Sequence, residues 1–420
     1  MEPNGEEDEE GVPKVGRKGD EEEPALGIAV VGLQILRGAH PKIMHGIHGC
    51  IHFSSRSFNT HLHWTTVKIM DLLHGIGVDL VLYLQANYRN YESVFHLASS
   101  LADLHTPIFI FFPVWFHLHQ KVGINLIWVA VVGDWLNLVF KWVLFGERPY
   151  WWVHETQFYG SAPPPVLQQF PITCETGPGS PSGHAMGLAG VWHVMVTAVL
   201  AANTERTHSA LFSWVVRLGL WMVLAIVILL VCMSRVYVAA HFPHQVITGV
   251  IAGMIVAEVF NRVQWIYSAS LKKYLYVTLF LLTFALGFYV LLKALGVDLL
   301  WTLDKAKRWC IRPEWVHMDT TPFASLMRNM GTLFGLGLGL HSPLCEQKKE
   351  IKSASFRLGC IIFSLLLLQL LDTVSLPSKS NILFYLLSFC KSAAAPFITA
   401  ALVPGCLSVL FLSKNVQRNL

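Results

Sequence analysis

Five basic residues stand at spacings that fit chemistry on a phosphate: Lys141 and Arg148 in KWVLFGERPY, His184 in PSGHAMG, and Arg235 and His241 in SRVYVAAHFPHQ. Guanidinium forks bind the oxygens of a tetrahedral anion in pairs, and an ammonium adds a movable point charge. Two imidazoles beside such a cradle supply a nucleophile and a proton donor that work near neutral pH. Around His184, the stretch CETGPGSPSGHAMG adds Gly177, Gly179 and Gly183, where backbone amides can approach an anion closely. Ser182 stands where it would cap the following helix, whose N-terminal dipole favours negative charge. Alone, a glycine-rich loop is an ordinary turn. With the other two stretches it reads as part of a phosphate site.

The elements that must bring these stretches together are membrane helices. Of the 420 residues, 53% are hydrophobic and 14% charged, with a net charge of +4; mean hydropathy is +0.48. Apolar runs near the ~20-residue bilayer length recur along the chain, which excludes an ordinary soluble domain and gives no reason to expect a nucleic-acid partner. The expected fold is all-α, a polytopic membrane protein with about nine transmembrane helices. These spans fall near 94–117, 122–144, 185–203, 213–233, 244–261, 274–295, 322–340, 355–373 and 382–412, the last interrupted by Lys391 and Pro396. Lysines and arginines collect on one set of alternate loops, including Lys121, Arg262, Lys272, Lys273 and the EQKKEIK stretch. That side should be cytosolic, together with the C-terminus. Each chemistry-bearing stretch follows an even-numbered span or precedes an odd-numbered one. All of them therefore belong to the opposite, non-cytosolic face, toward a lumen or the exterior.

The pattern K-x6-R-P, P-S-G-H, S-R-x5-H, here Lys141 to Pro149, Pro181 to His184 and Ser234 to His241, resembles the signature of the phosphatidic acid phosphatase superfamily, which includes vanadium haloperoxidases. The fuller phrases VAVVGDWLNLVFKWVLFGERPYWWV, QFPITCETGPGSPSGHAMG and PEWVHMDTTPFASL resemble the glucose-6-phosphatase catalytic subunit family of the endoplasmic reticulum, from about Met70 to near the C-terminus. The resemblance implies His241 as nucleophile, forming a phosphohistidine, and His184 as proton donor to the departing glucose oxygen. It implies that Lys141, Arg148 and Arg235, with Ser182 and Gly183, hold the phosphate, and that no metal or other cofactor is needed. It implies glucose 6-phosphate as substrate, residence in the endoplasmic reticulum membrane with a lumenal active site, and coupling to a separate glucose-6-phosphate transporter. The superfamily pattern ends H-x3-D, where this chain has Gln245, a substitution it shares with the glucose-6-phosphatase branch. The Gln245 carbonyl is expected to accept the His241 ring N–H and fix its tautomer, with no charge to raise the ring's basicity unless another carboxylate supplies it. The alternatives left open are a low-activity islet-type paralogue, a lipid phosphate phosphatase, and a non-catalytic sugar-phosphate receptor or transporter.

Asp134, Asn137 and Lys141 share one helical face, so Asp134 should either pair with Lys141 or touch substrate hydroxyls. Arg328 and Lys391 read as snorkelling or internally paired, His193 and His244 as packed or hydrogen-bonded, and Trp151 with Trp152 as interfacial anchors. Cys174 and Cys310 are the two cysteines in lumenal loops; a bridge between them is open, although nothing in the sequence requires it. Residues 1–69 form an acidic extension too polar to fold alone, and 70–420 form the multi-span domain. His45, His48, Cys50 and His52 match no familiar zinc spacing and read as part of a polar, unstructured stretch.

Overall fold

The structure, a computed structural model, describes residues 56–103, 105–206, 210–346, 353–376 and 380–418, so the His45–His52 stretch and most of the acidic extension lie outside the described residues. The chain begins with α1 (Arg56–Asn87) and α2 (Glu92–Leu101), then a π turn over Pro107–Phe111 that leads into α3 (Phe112–Leu118). Next come α4 (Gln120–Leu144), α5 (Pro149–Glu155), α6 (Gly183–Arg206), α7 (Ala210–Tyr237) and α8 (Pro243–Arg262). The rest comprises α9 (Leu271–Ala294), α10 (Trp301–Trp309), α11 (Pro322–Leu340), α12 (Pro343–Glu346), α13 (Ala354–Asp372), α14 (Asn381–Phe397) and α15 (Val403–Arg418).

Every regular element among the described residues is helical, and eight helices are long and apolar enough to cross a bilayer, judged by length and composition. The polytopic all-α fold is thus as expected, with three differences at the level of elements, the first being that α11, expected as a span over 322–340, is not among these eight. The span expected over 94–117 is three pieces, α2, the π turn and α3. Asp103 Oδ1 accepts from the His105 backbone N–H at 3.0 Å in a local turn, and Pro107 brings no N–H with which to continue a helix. A helix of membrane length instead covers Lys68–Asn87, where Asp71, His74 and Asp79 break up the apolar run. Helix α1 also reaches back to Arg56, inside the stretch whose composition reads as extension.

Glycines explain why two helix pairs pack closely. A Cβ on Gly249 of α8 would lie 2.6 Å from the Ser182 carbonyl oxygen, and one on Gly253 would strike the Met186 carbonyl of α6. On α11, Gly331 and Gly335 meet the Phe389 and Ala393 carbonyls of α14 in the same way. Small residues four apart are how helices approach one another in lipid, where no hydrophobic effect drives them together. The main core runs through α4, α9 and α11, with Trp128, Trp135, Trp142, Tyr274, Met330 and Leu333 in one buried cluster. A second cluster packs α5 against the α7–α8 turn through Tyr150, Trp151, Trp152, Tyr237 and Phe242. Trp151 and Trp152 are 0% and 3% exposed, so they are core residues and not the interfacial anchors their types suggest.

Candidate active site

The three chemistry-bearing stretches meet at one end of the bundle. Only α6 and α7 separate His184 from Arg235, so these motifs share a face however the helices before α4 are threaded. Arg148 opens α5, His184 lies in the first turn of α6, Arg235 in the last turn of α7, and His241 in the turn before α8. The turn passes through Ala239 at φ 55°, a conformation that a non-glycine residue adopts rarely. Asn137 Nδ2 donates to the Pro181 carbonyl at 3.1 Å, which ties the P-S-G-H loop to α4.

Arg148, Arg235 and His241 are all 0% exposed. The Arg148 guanidinium fastens the motifs to one another: Nε donates to the Gly177 carbonyl at 2.8 Å and Nη1 to the Ala240 carbonyl at 3.1 Å. Its other donors face Glu175 Oε2, 3.0 Å from Nη2, and His241 Nε2, 3.5 Å from Nη1. Arg235 donates from Nη1 to Ser99 Oγ at 3.2 Å and from Nη2 to Glu175 Oε1, while its Nε has no protein acceptor. Lys141 and Gly183 line the cavity that opens beside these groups.

His241 Nδ1 lies 2.8 Å from the Gly179 carbonyl oxygen. A carbonyl only accepts, so Nδ1 carries the proton and Nε2 presents its lone pair to the cradle. Burial, then the Arg148 guanidinium, hold the His241 imidazole well below the usual histidine range, against the pull of Glu175. The ring is therefore neutral, as a nucleophile must be. Gln245 does not do what was expected of it. Its Oε1 accepts from the Phe242 backbone N–H at 3.1 Å and its Nε2 donates to the Glu147 carbonyl at 2.7 Å, so it braces the backbone around His241 while Gly179 fixes the tautomer. Ser182 is a helix cap: its Oγ accepts from the Ala185 N–H at 3.5 Å, and its own N–H donates to the Gln245 carbonyl at 3.0 Å. Of the pair Ser182 and Gly183, only Gly183 borders the cavity.

Sequence reasoning did not single out Glu175, the carboxylate on which the site converges. It pairs with Arg148 and Arg235 and lies 3.6 Å from His184 Nδ1 and 3.8 Å from His241 Nε2. Burial opposes its ionisation, but Arg235 and Arg148, then His184 and His241, outweigh it and hold the carboxyl well below the usual carboxylate range. Glu175 supplies the negative charge that Gln245 lacks. The signal for it was present in TCETGP, an acidic residue within a motif loop whose parity puts it on the catalytic face. Its neighbours on both sides are anchored: Thr173 Oγ1 donates to the Val238 carbonyl at 2.6 Å, Cys174 is bridged to Cys310, and the Thr176 carbonyl accepts from Thr302 Oγ1 at 2.6 Å.

Asp134 does not pair with Lys141. Its Oδ2 accepts from Ser325 Oγ and from Asn329 Nδ2 at 2.7 Å. Arg328 donates to the Asp319 carbonyl at 2.9 Å, and Lys391 reaches the Asp372 and Val374 carbonyls at 3.0 Å each, so both are internally satisfied. His193 faces Glu258 at 3.6 Å and His244 stacks on Phe242, away from the cradle. The cavity has a volume of about 670 Å³ and runs from Lys141, Arg148, Glu175 and His184 to Asp134, Ser325, Thr332, Ser388 and Ser392. Arg235 and His241 are fully buried and lie outside the cavity lining, while Lys141, Arg148 and His184 border it; this basic cradle opens into a chamber of mixed polar and apolar lining and can bind a phosphate ester.

Residues 122–269 match the PAP2 superfamily. The chain is 62% identical to glucose-6-phosphatase catalytic subunit 1 of Haplochromis nubilus over 84% of its own length and 100% of the relative's. It is 56% identical to the protein of that name from Canis lupus familiaris, over 82% of this chain and 97% of the relative. Identity to glucose-6-phosphatase 2 of Mus musculus is 50%, over 81% and 98% of the two chains. No solved structure matches the chain significantly.

Proposed function

Because the chain belongs to the glucose-6-phosphatase family, within the PAP2 superfamily, we propose that it hydrolyses glucose 6-phosphate to glucose and phosphate through a phosphohistidine. His241 Nε2 attacks phosphorus while Nδ1–H stays on the Gly179 carbonyl. The bond from phosphorus to the sugar oxygen breaks, its electron pair leaves with that oxygen, and His184 delivers the proton. In the second half His184 takes a proton from water, the water oxygen attacks phosphorus, and the P–N bond breaks to return neutral His241. Arg148, Arg235 and Lys141 hold the non-bridging oxygens through both transfers, the largest contribution a protein makes to phosphoryl chemistry. No step calls for a metal.

The observation that carries this reading over a lipid phosphatase is the chamber wall. The wall that carries Lys141, Arg148 and His184 also carries Asp103, Asp134, Ser325 and Thr332, partners for a polyol, next to the apolar Ile108, Phe109, Leu376 and Phe384. A lumenal site in the endoplasmic reticulum membrane, with the C-terminus cytosolic, agrees with the lysine-rich loops of the opposite face. The Cys174–Cys310 bridge supports it, since disulfides persist in oxidising compartments. A sugar phosphate cannot cross hydrocarbon unaided, so a lumenal site implies coupling to a glucose-6-phosphate transporter.

The test is phosphate release from glucose 6-phosphate by detergent-opened membranes containing the chain or its His241→Ala variant. The parent should turn over, and the variant should lose at least about a thousandfold, consistent with removal of a covalent nucleophile. Turnover that survives the substitution would overturn the phosphohistidine route; a parent that binds sugar phosphates without turnover would favour the receptor reading.

A further inference from the structure

Helix α4 carries Lys141 at the cradle and Asp134 on the same face, seven residues away and so ~10 Å along the axis. The residue between them, Asn137, is committed to the Pro181 carbonyl, and no ion pair joins Asp134 to Lys141 among the described residues. Both protein donors that reach Asp134, Ser325 Oγ and Asn329 Nδ2, arrive at Oδ2. The side chain is only half-buried at mid-span, and it borders the cavity. An ionised carboxylate offers about four acceptor positions. Two are used here, on one oxygen, and among the described residues no donor reaches Oδ1.

A carboxylate placed inside a membrane bundle for structure alone is an expensive choice, because a neutral amide could accept the same two hydrogen bonds. Its negative charge also rules it out as a ligand of the phosphate. A fixed carboxylate on the same helix face as the phosphate cradle and in the same chamber is placed to accept hydrogen bonds from hydroxyl groups. The ~10 Å separation is comparable to the reach of a hexose from its phosphate. We propose that Asp134 Oδ1 is the acceptor for glucose ring hydroxyls and the residue that selects a sugar phosphate over other phosphate esters, with Ser325 and Asn329 as positioning residues that hold the carboxylate toward the substrate.

This inference rests on the glucose 6-phosphate reading, and a pair of substrates separates the two. Glucose 6-phosphate uses cradle and chamber; p-nitrophenyl phosphate uses the cradle and has no hydroxyls. Asp134→Asn should lower kcat/KM for glucose 6-phosphate at least tenfold or so, mainly through KM, and leave p-nitrophenyl phosphate within about threefold. Ser325→Ala should move the same ratio in the same direction by a smaller factor, about threefold, and it carries the test should Asp134→Asn fail to fold. An equal loss on both substrates in either folded variant, or an unchanged ratio in both, overturns the assignment while leaving the glucose-6-phosphatase reading intact. A parent chain that hydrolyses p-nitrophenyl phosphate and no hexose phosphate overturns both.

Discussion

Glu175 sets the energetics of the site at the level of single residues. Two guanidinium groups with 0% exposure are tolerated because this carboxylate meets both, and removing one partner of a buried pair is strongly destabilising. A phosphoryl group open to attack by His241 must come within about 3–3.5 Å of Nε2, the nitrogen that Glu175 Oε2 faces at 3.8 Å. Carboxylate and phosphate therefore compete for the same donors. Glu175→Gln should cost about 3 kcal/mol of stability in the phosphate-free protein. Vanadate, which imitates the phosphoryl group, should raise the melting temperature more in this variant than in the parent, because it restores the missing charge. Equal vanadate shifts in the two proteins would show that the anion does not take the Glu175 position. His241 makes a separate prediction. Its folded pKa lies well below the unfolded value, so as pH falls below ~6.5 the unfolded chain gains a proton that the native ring refuses. Stability should then decline from pH 7 to pH 5 by up to ~1.4 kcal/mol per unit from this group. Glu175, with its depressed value, stays ionised through that window and weakens the fold only in stronger acid. Thermal scans of the parent against His241→Asn isolate the histidine term: the variant should show the shallower slope.

At the scale of elements, the loop over residues 171–177 matters most, because it holds Glu175 without any helix of its own beyond the short turn Pro171–Thr173. Its anchors are Thr173 on the α7–α8 turn, the Cys174–Cys310 bridge to the end of α10, and Thr176 on Thr302. The bridge closes a segment with a sequence separation of 136, long enough for its loss to cost about 2–5 kcal/mol. Cys174→Ser, or reduction under mild conditions, should lower the melting temperature and reduce kcat together, since the loosened segment carries the cradle's counter-charge. Activity that withstands reduction, with the bridge shown to be broken, would assign the loop's order to the two threonines. The contrast between Gln245 and Glu175 shows what the sequence could and could not reveal. The basic and histidine positions were legible because their residue types serve one purpose at fixed spacings. The partner of His241 was not, because a backbone carbonyl, that of Gly179, does the work and has no letter of its own. Asp134 was assigned a face, with pairing to Lys141 or contact with substrate hydroxyls left open; its donors Ser325 and Asn329 were not foreseen, since they come from a helix nearly two hundred residues later. Trp151 and Trp152 read as anchors because tertiary burial by the α7–α8 turn is invisible to a local pattern. Helix α11, expected as a span over 322–340, is not among the eight helices apolar enough to cross a bilayer, and its glycines form the contact surface that seats it on α14.

For the whole molecule the governing fact is that all of this chemistry lies at one end of the helical bundle. The motifs at Arg148, His184 and Arg235 are linked either by a loop or by the pair α6 and α7, so they must emerge on one side of a bilayer. The positively charged loop from Arg262 to Lys273, between α8 and α9, lies at the other end, the end that the orientation proposed above, on the positive-inside tendency, turns to the cytosol. The proposed lumenal placement of the cradle has a kinetic consequence that does not depend on any single residue. A doubly charged phosphate ester pays a prohibitive desolvation cost to enter hydrocarbon, so sealed vesicles without a carrier should hydrolyse an added impermeant ester at less than about a tenth of the rate of detergent-opened ones. Adding the transporter to the same membranes should restore the rate for glucose 6-phosphate and leave other impermeant esters latent. Equal rates before and after opening, in vesicles shown to be sealed and right side out, would place the cradle on the cytosolic face. That outcome would also remove the oxidising compartment that the Cys174–Cys310 bridge calls for, so the disulfide and the latency are two consequences of the same orientation and stand or fall together.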